Sequence, residues 1–362
     1  MQSSASNGRI MFFTGLGTAT PPQRYTQAAC LQAFERSDWF NRLDARSHLV
    51  ARIVLQRDNG IRARHLAVDT LDEVFCIDAD TLAQRFQTHA PALARQAGEQ
   101  ALQQAGLAAE QIDAVVVSTC TGYLCPGLSS YLVEGLGLRA DVQAFDLVGQ
   151  GCAAALPNLQ LAHALLGSGA AQHVLSVCVE VSSAAMYLDN DPGVLISACL
   201  FGDGAGAAVL SREASPDRRR VAWTDSASLT VPAQRDALRF EQRGGLLCNV
   251  LTRAVPALAA EHAQQVLGTV LQRAQLSPAD VNGWIFHAGG RDVLQALARQ
   301  LELPEQALQH SRALLSSHGN LSSAFVYFVL AAALAEEAPG GWWWLSSFGA
   351  GFSCHGALLE VQ

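Results

Sequence analysis

The 362 residues contain no lysine, so every basic side chain other than histidine is an arginine. Without lysine there is no Schiff-base chemistry, no pyridoxal phosphate anchor and no Walker-type phosphate loop, each of which needs its ammonium. The glycine motifs GLGTATPP (15–22) and GDGAG (202–206) are correspondingly weak nucleotide signatures, because neither follows GxGxxG spacing and tight turns account for both. Positive charge is scarce as well. A net charge of −8 and a pI near 5.7 exclude the basic face that phosphate backbones require, and RRR at 218–220 reads as a solvated loop. Apolar runs such as FVYFVLAAALA (325–335) are too short to cross a bilayer, and the first residues lack a charged-then-apolar leader. A cytoplasmic protein with no membrane span and no nucleic-acid partner is expected. The nine cysteines are odd in number and scattered through apolar segments, which reads as reduced thiols. None forms a CxxC pair with a nearby histidine, so no metal is expected.

What the chain has instead is an internal repeat. At a shift of about 168 residues, 93–107 lies over 262–276, 147–166 over 315–334, and 174–180 over 342–348. Three nearly collinear matches of helix and strand point to an ancient duplication, and the register lays Cys152 on Asn320. Half of the residues are hydrophobic and no linker separates the halves. Two tightly fused halves are expected, 1–215 and 216–362, with the Arg-rich stretch 211–220 as the seam.

The segments 114–119, 142–148, 173–181, 206–211, 283–288, 342–347 and 356–361 read as strands. Several are continuous β-branched or aromatic runs suited to burial on both faces. Helical runs lie between most of them, giving an α/β protein of stacked helix and sheet layers, built twice.

Cys152 follows Gly149, Gln150 and Gly151 and precedes a helical run, so it is expected near a helix N-terminus. There, backbone N–H groups favour a thiolate, and a pKa lowered to about 3.5–7.5 is the expectation. The alternative is a small buried residue at a helix start. His287 ends a predicted strand before AGG, where a hydrogen-bonded core histidine is the competing reading. Asn320 sits in SSHGNLSS, where an ordinary N-cap competes. Pseudo-symmetry would bring all three to one centre.

In order and spacing, GQGCAAA, FGDGAGAAVL (201–210), FHAGGRDVL (286–294), GNLSSA (319–324) and FGAGF (348–352) resemble the type III polyketide synthases, the chalcone synthase relatives with a thiolase-like fold of duplicated αβαβα halves. The resemblance runs over nearly the whole chain from GLGTATPP. It implies that Cys152 carries the acyl chain and that His287 and Asn320 complete a triad. A starter acyl-coenzyme A would load Cys152. Decarboxylated malonyl-coenzyme A would then extend it by Claisen condensation, with no cofactor beyond the thioester substrates. Phe201 matches the family's phenylalanine between the coenzyme A tunnel and the cavity. Asn249 falls where plant enzymes carry a second gatekeeping phenylalanine.

By the same resemblance, CTGYLCPG (120–127) is the loop that reaches across the family's dimer interface, implying a homodimer. Thr121 and Cys125 in it, with the cavity serine Ser322, count as substrate-binding. Cys125 takes the place of a plant methionine, and its alternative reading is a thiol buried at a subunit contact. Arg57, Arg62 and Arg64 are candidates for the coenzyme A phosphates, or else form a solvated helix face. The wording of CTGYLCPG, DLVGQGC and LLCNVLTRAVP is closest to bacterial alkylresorcinol and alkylpyrone synthases, which implies a long-chain fatty acyl starter. A small, malonyl or aromatic starter stays open. A ketoacyl synthase III-like priming enzyme is the alternative class, although HAGG stands where HQAN is expected. A non-catalytic partner subunit is disfavoured by the presence of all three triad residues.

Overall fold

A computed structural model of the protein describes residues 10–56 and 59–362. Its strands are β1 (Met11–Ala19), β2 (Arg24–Thr26), β3 (Ala63–His65), β4 (Ala114–Ser118), β5 (Gln143–Leu147), β6 (His173–Glu180) and β7 (Gly204–Ser211), followed by β8 (Val221–Thr230), β9 (Leu238–Arg243), β10 (Leu246–Leu251), β11 (Val281–Phe286), β12 (Gly341–Gly349) and β13 (Ser353–Val361). Nine of them form one sheet in the order β11-β12-β13-β8-β1-β7-β6-β4-β5. The order mirrors itself about the β8/β1 seam. Outward from it, β13 and β7 pair antiparallel with their inner and outer neighbours, whereas β11–β12 and β4–β6 run parallel. Among the described residues, only Met11↔Trp223 and Phe12↔Ala222 join the two half-sheets.

Helices Ala155–Ser168 and Phe325–Ala335 each touch strands of both half-sheets and therefore lie between them. Ala79–Ala105 packs on β1 and β7, and Val255–Ala274 on β8 and β13, as the outer layers. This is the layered αβαβα arrangement. The helix FVYFVLAAALA has no polar face because it is enclosed, seven of its eleven residues being buried. On β12, Trp343 and Trp344 are fully buried, as expected for a strand covered on both sides.

Two expectations fail for one reason. GLGTATPP is not a tight turn; its first five residues are strand β1, and Gly204 and Gly206 of GDGAG open β7. The glycines of β1 serve close helix approach. A Cβ on Gly15 would lie 2.1 Å from Ala101 O, and one on Gly17 2.0 Å from Ala97 O. The small hairpin β9–β10 is a separate two-stranded sheet.

Candidate active site

The site is assembled at the C-terminal ends of the parallel strands. Cys120 and Thr121 follow β4, the turn carrying Cys152 follows β5, Glu180 ends β6 and His287 follows β11. Cys152 lies in a 3-10 turn, Gly151–Ala153, just before the helix Ala155–Ser168. The end of β12 packs against that turn from the other half of the chain. Only glycine fits at 349, where a Cβ would be 2.6 Å from both Ala153 N and Gln150 O.

Three contacts tie the triad candidates together. Ser322 Oγ lies 3.2 Å from Cys152 Sγ, and Ser322 N–H donates to Asn320 Oδ1 at 2.8 Å. Asn320 Nδ2 donates to Gly289 O at 3.2 Å, in the loop that His287 begins. The Asn320 backbone is pinned by N–H to Leu200 O at 2.9 Å and by Gly202 N–H to its carbonyl at 3.0 Å, which seats Phe201 beside it. Oδ1 therefore closes a local turn two residues on and is not a helix N-cap, a place taken by Leu321 before the turn Ser322–Ala324 and by Ala324 before the helix, while one Nδ2–H remains for a ligand. His287 is packed edge-on against Phe325 and Phe348, with ring centroids 5.6 and 5.1 Å away. Both of its ring nitrogens are buried without a partner. It is not a hydrogen-bonded core histidine.

The electrostatics correct one expectation. Cys152 is not an acidic thiol in this resting arrangement. Burial pushes it up to about 12, the Ser322 hydroxyl pulls it down and the Glu180 carboxylate adds to the rise. Burial lowers the His287 imidazole to about 3, so it is neutral. A lone charge on either group is costly here.

Sequence reasoning missed Glu180, which is fully buried. It accepts from Cys120 N–H at 3.0 Å, Thr121 Oγ1 at 3.0 Å, Thr119 Oγ1 at 3.3 Å and Ser323 Oγ, and it lies 3.2 Å from Ser322 Oγ, whose single proton goes either to Glu180 or to Cys152 Sγ. Burial raises its pKa, and these donors, Ser323 first, oppose the rise. Ser322 thus bridges the Cys152 thiol and a buried carboxyl. It does so at φ +50°, one of four positive-φ non-glycine residues among those described. Cys120 Sγ stands 3.4 Å from Ser322 Oγ and from Glu180. A charged residue closing the apolar run HVLSVCVE was the available signal.

A cavity with about 520 Å³ of empty space, part of it open to solvent, ends against this cluster. Among its walls are Cys120, Thr121, Phe201, Asn249 and Ser322, so four of the five expected substrate-binding residues are brought together and Cys125 is not. Cys152 sits one layer behind Ser322. Cys125 is exposed on the loop after β4, next to Tyr123, which is 80 % exposed. Of the phosphate candidates, Arg57 lies outside the described residues. Arg64 is a correction: it is buried, and its guanidinium is occupied by Ala198 O and Phe201 O, both at 2.8 Å, and by Gln27 Oε1 at 3.2 Å. Arg62 is exposed, with Nε on Ser316 Oγ at 2.8 Å. Neither lies on a helix; β3 begins between them. Among the described residues no cluster of His, Cys, Asp or Glu could hold a metal ion, and no helix is long and apolar enough to cross a membrane.

Family models for the FAE1/type III polyketide synthase-like proteins and for the chalcone and stilbene synthase C-terminal domain match residues 20–228 and 226–360. The chain belongs to the type III polyketide synthases. The 1,3,6,8-tetrahydroxynaphthalene synthase of Streptomyces peucetius subsp. caesius is 33 % identical over 86 % of this chain and 82 % of its own. The 3,5-dihydroxyphenylacetyl-CoA synthase of Streptomyces toyocaensis is 28 % identical over 87 % and 80 %. The crystal structure of PKS-I from the brown alga Ectocarpus siliculosus superposes with a TM-score of 0.89 at 26 % identity, covering 97 % of this chain and 98 % of that one. The tetrahydroxynaphthalene synthase structure from Streptomyces coelicolor A3(2) also reaches 0.89, at 24 % identity over 97 % and 99 %, and supports the thiolase-like fold. A type III polyketide synthase is an acyltransferase that condenses coenzyme A thioesters.

Proposed function

We propose that Cys152 carries the growing chain and that His287 and Asn320 stabilise the enolate. The observation that carries this reading is a buried, neutral His287 whose nitrogens have no protein partner, beside an Asn320 with an N–H to spare. The Cys152 thiolate, formed as its proton passes to His287, attacks the starter thioester. A new C–S bond forms and coenzyme A leaves as the thiol, taking the proton. Malonyl-coenzyme A then loses carbon dioxide, and its enolate oxygen accepts from His287 and Asn320. Each donor of this kind is worth roughly 3 kcal/mol. The enolate carbon attacks the Cys152 thioester, expelling the thiolate for the next transfer. No step calls for a further cofactor.

For the starter we favour a small malonyl-derived unit over the long-chain acyl group. The relatives' names support it: the carbons and alternating oxygens of 1,3,6,8-tetrahydroxynaphthalene divide into two-carbon units, and those of a 3,5-dihydroxyphenylacetyl group do likewise. Neither product carries an alkyl tail. We further propose a homodimer paired across the exposed loop after β4 and edge strand β5, where Tyr123 and Val148 stand 80 % and 70 % exposed, and a cytoplasmic enzyme whose halves divide near residue 215. The test is incubation with malonyl-coenzyme A, alone and with long-chain or aromatic acyl-coenzyme A, analysed by mass spectrometry beside Cys152→Ala. Cys152-dependent polyketide from malonyl-coenzyme A alone is expected. Products only with a long-chain starter would overturn the starter assignment, and products from Cys152→Ala the catalytic one.

A further inference from the structure

The helix Pro192–Leu200 ends beside the active site, and each of its last four carbonyls has a partner of its own. Phe201 N–H donates to Ser197 O at 3.3 Å, Arg64 Nη1 to Ala198 O at 2.8 Å, Gln27 Nε2 to Cys199 O at 3.0 Å and Asn320 N–H to Leu200 O at 2.9 Å. The backbone of Asn320 is thus one of the four caps on this helix end. Two of the others act as a unit. Arg64 Nε donates to Gln27 Oε1 at 3.2 Å, and Arg64 Nη1 also reaches the Phe201 carbonyl at 2.8 Å. Both side chains are buried; Arg64 lies in strand β3, and Gln27 directly follows its partner strand β2. The chain closes tightly against them from the other half. Gly319, at φ +74°, leads into Asn320, and a Cβ there would stand 2.7 Å from Leu200 O and 2.9 Å from Arg64 Cγ.

Resting on the reading of Asn320 as an enolate donor, we propose that Arg64, together with Gln27, is a positioning residue for the Asn320 amide. A guanidinium at a helix C-terminus is favoured by the negative end of the helix dipole, and its planar fork spans oxygens that a single ammonium nitrogen does not. By fixing the carbonyls of Ala198 and Phe201, on either side of Leu200, Arg64 fixes the carbonyl that Asn320 N–H must reach. The spare Nδ2–H of Asn320 is then held where the enolate oxygen forms. Arg64 does not line the cavity beside Ser322, so its effect on the reaction passes through the backbone.

The experiment is a double-mutant cycle on the decarboxylation of malonyl-coenzyme A, followed as carbon dioxide release well below each variant's melting temperature. Arg64→Lys and Gln27→Met are each made in the wild type and in Asn320→Ala. A donor displaced by about 1 Å costs up to roughly a hundredfold, so kcat is expected to fall on the order of tenfold in Arg64→Lys and in Gln27→Met, with KM unchanged. In the Asn320→Ala background neither substitution slows the reaction further, because the group they position is gone. Equal falls in both backgrounds would mean a general loosening of the fold and overturn this inference alone, as would an unchanged kcat in both variants or a raised KM at constant kcat. Gln27→Met leaves the guanidinium in place and carries the same test should Arg64→Lys fail to fold. An Asn320→Ala enzyme that decarboxylates as fast as the wild type overturns the enolate reading and the inference resting on it.

Discussion

Replacing Ser322 with alanine should make Cys152 harder to ionise. Its hydroxyl, 3.2 Å from Sγ, is the side-chain contact that lowers the thiol pKa, against burial and Glu180. A hydrogen bond to a charged group contributes about 1.5–3 kcal/mol, and one pKa unit corresponds to about 1.4 kcal/mol. The midpoint for thiolate formation should therefore rise by roughly one to two units. At any pH below that midpoint the thiolate fraction falls about tenfold per unit, and alkylation slows in proportion. The assay is the rate of iodoacetamide modification of Cys152 in wild type and variant at matched pH values below the midpoint, followed by peptide mass spectrometry to separate it from Cys120. Glu180 keeps Ser323, Thr121, Thr119 and the Cys120 N–H, so the carboxyl stays anchored in the variant. A modification rate equal to that of the wild type would refute the bridging role of Ser322.

Burial holds His287 down to about 3, and His318 and His355 down to about 4. Each binds its proton more readily unfolded, so stability is full above about pH 6.5 and is lost as pH falls, by about 1.4 kcal/mol per pH unit for each histidine. Melting temperature should drop steadily from pH 7 to 5, less steeply in His355→Gln; a flat profile contradicts this. Arg64→Ala strands the carbonyls of Ala198 and Phe201, and should cost about 2–4 kcal/mol in denaturant unfolding. A raised KM for coenzyme A thioesters with unchanged stability would return Arg64 to phosphate binding. Gly15→Ala places a methyl 2.1 Å from Ala101 O and should cost several kcal/mol or abolish soluble expression. Wild-type stability there would mean that the helix on β1 is free to shift.

Much of this molecule was legible wherever a periodic signal coincided with burial. Strands β4, β6 and β12 are buried on both faces because helices cover both, and their sequences are dominated by apolar residues, interrupted only by Ser118 at the end of β4, by His173, Ser176 and Glu180 in β6 and by Ser346 and Ser347 in β12. The turns carrying Cys152 and Asn320 occupy mirrored places because the chain repeats. Strand β1 was lost because glycines that admit a helix look the same in sequence as glycines that make a turn. The hairpin that places Asn249 over the cavity has half-buried strands and no repeat partner, so it left no periodic trace. Glu180 was hidden by the same repeat, which lays it on Phe348; a carboxyl held by hydroxyls from two separate segments, 119–121 and 322–323, is a tertiary fact. The Cys152 pKa failed for the same kind of reason. The helix N-terminus lies nearby, but burial and a carboxyl brought in by β6 act on the thiol more strongly.

The central claim is that Cys152 is the residue that holds the chain. The most direct measurement is peptide-level mass spectrometry of the enzyme quenched during turnover with malonyl-coenzyme A. Acyl masses increasing by two-carbon units on the Cys152 peptide, absent from Cys152→Ala, are predicted. Adducts on the Cys120 peptide instead, or steady product formation with Cys152 unmodified throughout, would contradict the account.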